Sequence, residues 1–205
     1  MATDAQHTLN SNPQPYLTSH LHLSLVLEKG ESLFGHDNLT IHAADRIIRG
    51  EEETIVIAGH PYFVGLNTPT DQQVYDQITS ENFSPEALQG SFIVARLNNS
   101  LGTLTLYTDK FATVPAFWHQ KPHSRECHIS SLLSDINQDG ELSNQSLYDY
   151  VYFHMIPAPN TAYSQYQKLS AATQLTITSQ LEGTTDTYWV PHFNLKQSTS
   201  AAALS

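Results

Sequence analysis

The chain is built from short runs in which apolar and polar residues alternate, each closed by a turn signal. That pattern restricts it to a fold made mainly of antiparallel β-sheet. Residues 22–27 alternate and stop at Lys29-Gly30, residues 39–42 form a second candidate strand, and residues 54–58 form a third that ends at Gly59. Residues 91–97 and 101–107 flank Asn98-Asn99-Ser100 and read as a hairpin. Residues 115–119 and 127–130 read as the next strands of the same sheet, and residues 174–178 and 185–189 as a late hairpin about Gly183.

Helical signals are fewer. Ser84 followed by Pro85 opens a short helix, because serine caps and proline tolerates the first turn. Residues 71–78 suggest another. The strongest runs over 143–153: Ser143 can cap it, Leu147, Tyr150 and Val151 share one face, and Pro157 bounds it. Periodicity alone therefore gives an α+β or β-rich class.

Composition narrows the function. Of 205 residues, 40% are hydrophobic, enough for one sizeable core. Asp plus Glu number 20 and Lys plus Arg 9, giving a net charge of −11. Lys and Arg form no cluster, which argues against nucleic acid or an anionic membrane surface as partner. The single cysteine, Cys127, can form neither an internal disulfide nor a cysteine-based zinc site. No apolar run is long enough to cross a bilayer, and the first residues lack a basic head and apolar signal core. The expectation is a cytoplasmic protein with a flexible leader over 1–19, one domain over 20–192 and a flexible tail over 193–205.

Two stretches carry more than periodicity. The first has Leu88, Gly90 and Phe92 in one strand, a second strand to Tyr107, the turn Asp109-Lys110-Phe111-Ala112, then Pro115 and Ser130-Ser131. The second runs from Leu147 through Ile156-Pro157-Ala158-Pro159, Thr161 and Tyr163 to Lys168-Leu169 and Tyr188-Trp189. In order and spacing, from about 85 to 192, these resemble the N-terminal amidotransferase domain of the asparagine synthetase family. The first 80 residues match much less well.

The resemblance implies a four-layer αββα sandwich, two antiparallel sheets between helices, of the N-terminal-nucleophile type. It also implies a domain that hydrolyses glutamine and passes ammonia to an ATP-dependent synthetase domain. That chemistry needs a cysteine at the mature N-terminus, where thiolate and free amine act together. The sequence begins Met1-Ala2-Thr3, and Cys127 lies mid-chain. The family's Asn-Gly, whose amide helps hold the oxyanion, corresponds to Ala58-Gly59, followed by His60. Arg46 and Arg49 are the candidates to hold a substrate carboxylate, and Asp71 or Asp76 to stand in for the acidic glutamine-binding segment. The vestigial pocket expected from the resemblance is therefore Arg46, Arg49, Ala58, Gly59, His60 and Asp71, with no catalytic residue.

The expected role is a glutaminase-inactive scaffold or regulatory subunit for a separate ATP-dependent amide-forming ligase, with no cofactor of its own and self-association left open. The synthetase's Ser-Gly-Gly-x-Asp-Ser loop is absent from this sequence. Two rivals stand beside this reading: a self-processed amidohydrolase exposing Thr18, Ser19 or Ser24, and an amino-acid-binding module using the pocket. Other constellations read as structure. His119, His123, Cys127 and His128 are close in sequence, but Pro122 separates the first two, so a polar hairpin loop is preferred to zinc. His20 and His22 share a strand face and could pair. Residues 137–142 resemble a calcium loop with too few carboxylates, which favours a turn between helices. Tyr148, Tyr150, Tyr152, Phe153 and Tyr163 read as core and interface packing.

Overall fold

A computed structural model describes residues 19–26, 38–66, 68–120, 125–136 and 139–192. The leader before Ser19, the tail from 193, Lys29-Gly30, His123 and Asn137-Gln138 lie outside the described residues. Among the described residues, no helix is long and apolar enough to cross a membrane.

The strands are β1 (His22–Val26), β2 (Leu39–Ala43), β3 (Arg46–Arg49), β4 (Glu53–Phe63), β5 (Leu88–Asn98) and β6 (Thr103–Thr108). They continue as β7 (Phe117–Gln120), β8 (Glu126–Ser130), β9 (Gln167–Lys168), β10 (Thr173–Ile177) and β11 (Gly183–Thr187). The helices are α1 (Asp71–Thr79), α2 (Leu133–Ile136) and α3 (Asn144–Phe153), with a 3-10 turn at Pro85–Ala87. All strand pairing is antiparallel. One sheet has the order β2-β1-β8-β7-β9 and the other β11-β10-β6-β5-β4-β3.

Period-two alternation explains how the sheets face each other. Leu23 and Leu25 of β1 and Cys127 and Ile129 of β8 share one buried cluster with Val56, Ala58, Ile93, Ala95, Leu106 and Leu175 of the second sheet. The intervening residues of β4 and β5, Ile55, Ile57, Phe92 and Val94, point the other way and pack with Val74 and Ile78 of α1. The six-stranded sheet is thus covered on both faces, which is why β5 reads as a continuous apolar run. Each fully buried Leu, Ile or Phe here contributes about 1.5–3 kcal/mol. The result is two packed antiparallel sheets with few helices, in agreement with the α+β sandwich expected.

Three local expectations change. The strand expected to end at Gly59 runs on to Phe63, because Gly59 adopts φ +88° and lets the strand kink without stopping. A β-carbon at Gly59 would lie 2.2 Å from the Ser91 carbonyl oxygen, so the position is reserved for glycine. Residues 117–120 and 126–130 leave the hairpin's sheet and pair with each other in the other one, where 126–130 also pair with β1. Tyr188 and Trp189 lie beyond β11, which closes at Thr187.

A further change concerns α3. Ser143 caps it as expected, its hydroxyl accepting from the Ser146 N–H at 3.2 Å, and His154 closes it in a left-handed conformation. Its apolar face, however, is open: Leu147, Tyr148, Tyr150, Tyr152 and Phe153 are exposed, Val151 is 74% exposed, and Ser146 is the buried residue of the helix. These aromatics are therefore not core. Tyr148 stacks on Tyr152, and Tyr152 meets Phe153 edge-on.

Candidate functional site

The corner where β3, β4 and α1 meet brings part of the expected pocket together. Thr70 caps α1 by accepting from the Gln73 N–H while the Gln73 side chain accepts from the Thr70 N–H, a reciprocal box that fixes where the helix begins. Asp71, in the first turn, then faces β3, where the Arg46 guanidinium pairs with its carboxylate through Nε and Nη2. Next to Arg46, the Asp45 carboxylate accepts the Gly59 N–H at 2.7 Å. Arg46, Asp71 and Gly59 thus share one corner, with Asp45 as an unexpected fourth member. No periodicity marks Asp45; its position immediately before a strand was the available signal.

The other expected residues are placed differently. Arg49 sits at the far end of β3, three residues on, about 10 Å away along the strand. Strand alternation also turns it to the opposite face, where it lines a shallow cleft with Leu39, Ile41 and Thr54. Ala58 is fully buried among the side chains between the sheets. His60 is exposed on β4 opposite Ser91.

Arg46 and Asp71 are both solvent-accessible, with side chains 36% and 63% exposed. Water screens such a pair, so Arg46→Ala is expected to lower stability by less than about 1 kcal/mol. Urea unfolding should show a midpoint close to that of the unaltered protein. A large drop would mean that the corner is a structural keystone and not an accessible pocket wall.

Cys127 is fully buried on β8, opposite Leu25 of β1, and burial pushes its thiol up to about 12. A thiol so placed is neither ionised near neutral pH nor reachable by substrate. It also points away from His119 and His128, which lie on the other face of the same sheet. Among the described residues, no three His, Cys, Asp or Glu side chains are placed to hold a metal ion. Of the serines near the first strand, Ser24 lies within β1, paired on both sides, and Ser19 is buried just before it.

The motifs downstream converge on one turn. The buried Asp109 carboxylate accepts from the Phe92 N–H at 3.2 Å, Phe111 N–H at 2.9 Å, Thr113 N–H at 3.0 Å and Val114 N–H at 3.3 Å. It also accepts from the Thr113 hydroxyl at 2.7 Å. The Tyr188 hydroxyl donates to the Thr108 carbonyl, and Trp189 packs edge-on against Phe111 at 6.0 Å. Burial, then the nearby Asp109 charge, pushes the Tyr188 hydroxyl up to about 12, so it remains a donor. The distant motifs Asp109-Lys110-Phe111 and Tyr188-Trp189 are thus one packed unit.

Two face-packed antiparallel sheets, a buried Asp109 turn and a returning Tyr-Trp segment make up the described domain. Residues 69–189 match the glutamine amidotransferase domain family, well over half of the chain, and the chain belongs to that family. No curated protein matches it. The matched span begins just before α1, so it contains Asp71 and the Asp109 unit, while Arg46, Ala58, Gly59 and His60 precede it.

Proposed function

We propose that this chain is an amidotransferase domain of the asparagine synthetase type that does not itself hydrolyse glutamine and serves as scaffold for an ATP-dependent amide-forming ligase. The observation that carries this reading is the position of Cys127, sealed between the sheets with its thiol held neutral. Glutamine hydrolysis on this fold requires a thiolate whose own amine is free, and Cys127 offers neither. The layering of the N-terminal-nucleophile fold belongs to the same proposal; two face-packed sheets and a helix over one of them support it.

The retained parts are those that build a surface. Asp109, Tyr188 and Trp189 keep their mutual packing, and α3 keeps its cap while leaving five large apolar side chains and Val151 to solvent. Exposed apolar patches of this kind mark protein contacts. The corner of Arg46, Asp71 and Gly59 forms the remnant of the substrate pocket, its cation already neutralised by Asp71. Self-processing at Ser24 is disfavoured by geometry, because cleavage there would cut a strand paired on both edges.

The test has two arms. Purified protein given glutamine should release no ammonia above a heat-denatured control. Tagged protein recovered from its source cells should carry a stoichiometric partner with the Ser-Gly-Gly-x-Asp-Ser ATP loop. Glutamine turnover, together with a new N-terminal residue by mass spectrometry, would sink the inactive reading and favour the self-processed amidohydrolase.

A further inference from the structure

The outer face of the five-stranded sheet carries a cleft of about 380 Å³ that the amidotransferase motifs do not use. Its floor follows from strand alternation: His22 and Ser24 of β1, His42 of β2, His119 of β7 and His128 of β8 project outward. Their neighbours Leu23, Leu25, Cys127 and Ile129 fill the core. Carboxylates of Glu126, Asp135 and Asp139 line the same cleft, closed on one side by Tyr166. The described lining residues include no lysine or arginine. The volume falls within the range of small-molecule sites.

The hydrogen bonds decide what this cleft offers. Ser24 Oγ lies 2.9 Å from His42 Nε2 and 3.0 Å from His128 Nδ1. One hydroxyl donates a single proton, so it gives to one ring and receives from the other. His128 Nε2 faces the Glu126 carboxylate at 3.7 Å, a charge contact longer than a hydrogen bond, which favours a ring proton on Nε2 and an Nδ1 that accepts from Ser24. His42 Nε2 is then the donor to Ser24, which makes its Nδ1 an acceptor. His119 Nδ1 lies 2.8 Å from the Gln165 carbonyl, so that nitrogen donates and Nε2 is an acceptor. His22 stacks on His42 at 4.3 Å instead of pairing with His20, whose Nε2 contacts Asp135 at 2.8 Å. The cleft therefore presents lone pairs and carboxylates in excess of donors.

We propose that this cleft binds a small organic cation bearing a primary ammonium group, of the alkyl diamine class. An ammonium supplies three donors and a positive charge, matching acceptor imidazole nitrogens and a carboxylate rim. Three metal ligands are not brought together among the described residues, which separates this site from a metal centre. It lies on a different sheet from the corner of Arg46 and Asp71, so it stands apart from the proposed glutamine remnant.

Electrostatics support the assignment. Burial holds His22 below the ordinary histidine range, with the adjacent His42 adding to the effect and Asp135 opposing it. Burial likewise holds His128 low, against the pull of Glu126 and with His119 and His42 reinforcing it. Both shifts favour the neutral form of these two rings, which face the carboxylates of the lining. Below the ordinary histidine range these rings gain protons, and a cationic ligand is then repelled.

The test follows the histidine ring resonances by NMR while putrescine is added, with butanediol as the uncharged isostere. The diamine should shift the cleft resonances saturably with a Kd at or below about 1 mM near neutral pH. Binding should weaken as the pH is taken below the ordinary histidine range, as the imidazoles charge. Glu126→Gln with Asp139→Asn, at partly or fully exposed positions, should keep the fold and weaken binding at least about fivefold. Equal binding of the diol, an unaffected double variant, or no saturation by about 10 mM overturns the proposal. Saturable binding of zinc by the same rings without diamine binding overturns it as well.

Discussion

Replacing Asp109 by alanine is expected to destabilise the domain by about 3–5 kcal/mol, the range of lesions that leave a buried polar network without its centre. The carboxylate is fully buried and gathers four backbone N–H groups and one hydroxyl. Alanine orphans all of these donors in a site too enclosed for water to reach each one. The turn also positions Ala172 and Tyr188, whose N–H groups bond in sequence to Asp109 and Ala172 carbonyls at 2.9 Å each. Thermal unfolding should fall by roughly 10 °C, at a few degrees per kcal/mol for a chain of this size. Thr113→Ala removes the hydroxyl donor and leaves the backbone donors served, so about 1 kcal/mol is expected. If the two variants melt together, the carboxylate is not the organiser of the turn.

Glu53→Ala should be nearly as damaging, about 3 kcal/mol, because it strands a partly buried cation. Arg96 makes two bonds of 2.7 Å to the Glu53 carboxylate, and its third arm donates to the Ile78 carbonyl of α1 at 3.1 Å. Asn98 donates to the same carboxylate at 2.7 Å. The hydrogen bond to Glu53 raises the Arg96 pKa, with burial opposing it, and a guanidinium keeps its charge even when that partner is removed. Urea denaturation of Glu53→Ala should show the loss, and the double change Glu53→Leu with Arg96→Met should recover most of it by replacing the pair with apolar contacts. Failure of the double change to recover stability would mean that the bond to α1, and not the stranded charge, is what matters.

Local pattern revealed most of the strands and little of how they are shared between sheets. Alternation located β1, β2, β5, β6, β8 and β10 to within a few residues, because one face of each meets apolar neighbours. It could not assign residues 117–120 and 126–130 to the correct sheet, since the pairing of 126–130 with β1 depends on contacts about one hundred residues away. Alternation likewise found α3 but misjudged its environment: an apolar stripe predicts burial against something, and within the described residues that surface is open.

The candidate corner was legible only through Arg46, Gly59 and Asp71. Their meeting depends on the cap at Thr70 and the kink at Gly59, which have sequence signals. The separation of Arg49 follows from a spacing of three along a strand, which places it on the opposite face. The histidine cleft was hidden for a different reason. His22, His42, His119 and His128 come from four strands whose order in the sheet is not their order in the chain.

That strand order has a consequence for how the molecule is made. Strands β3 to β6 form a meander that needs only its own residues, so it can close as soon as Thr108 has been synthesised. Strand β1 lies earlier in the chain but needs β8 beside it, with His22 opposite Ser130. Closing so long a loop is slow compared with forming hairpins. Strand β1 can pair early with β2 but lacks its other neighbour until Ser130 is made, and its Leu23 and Leu25 wait for that closure. This interval, set by topology and not by final stability, is when the chain is most exposed to aggregation and most dependent on chaperones.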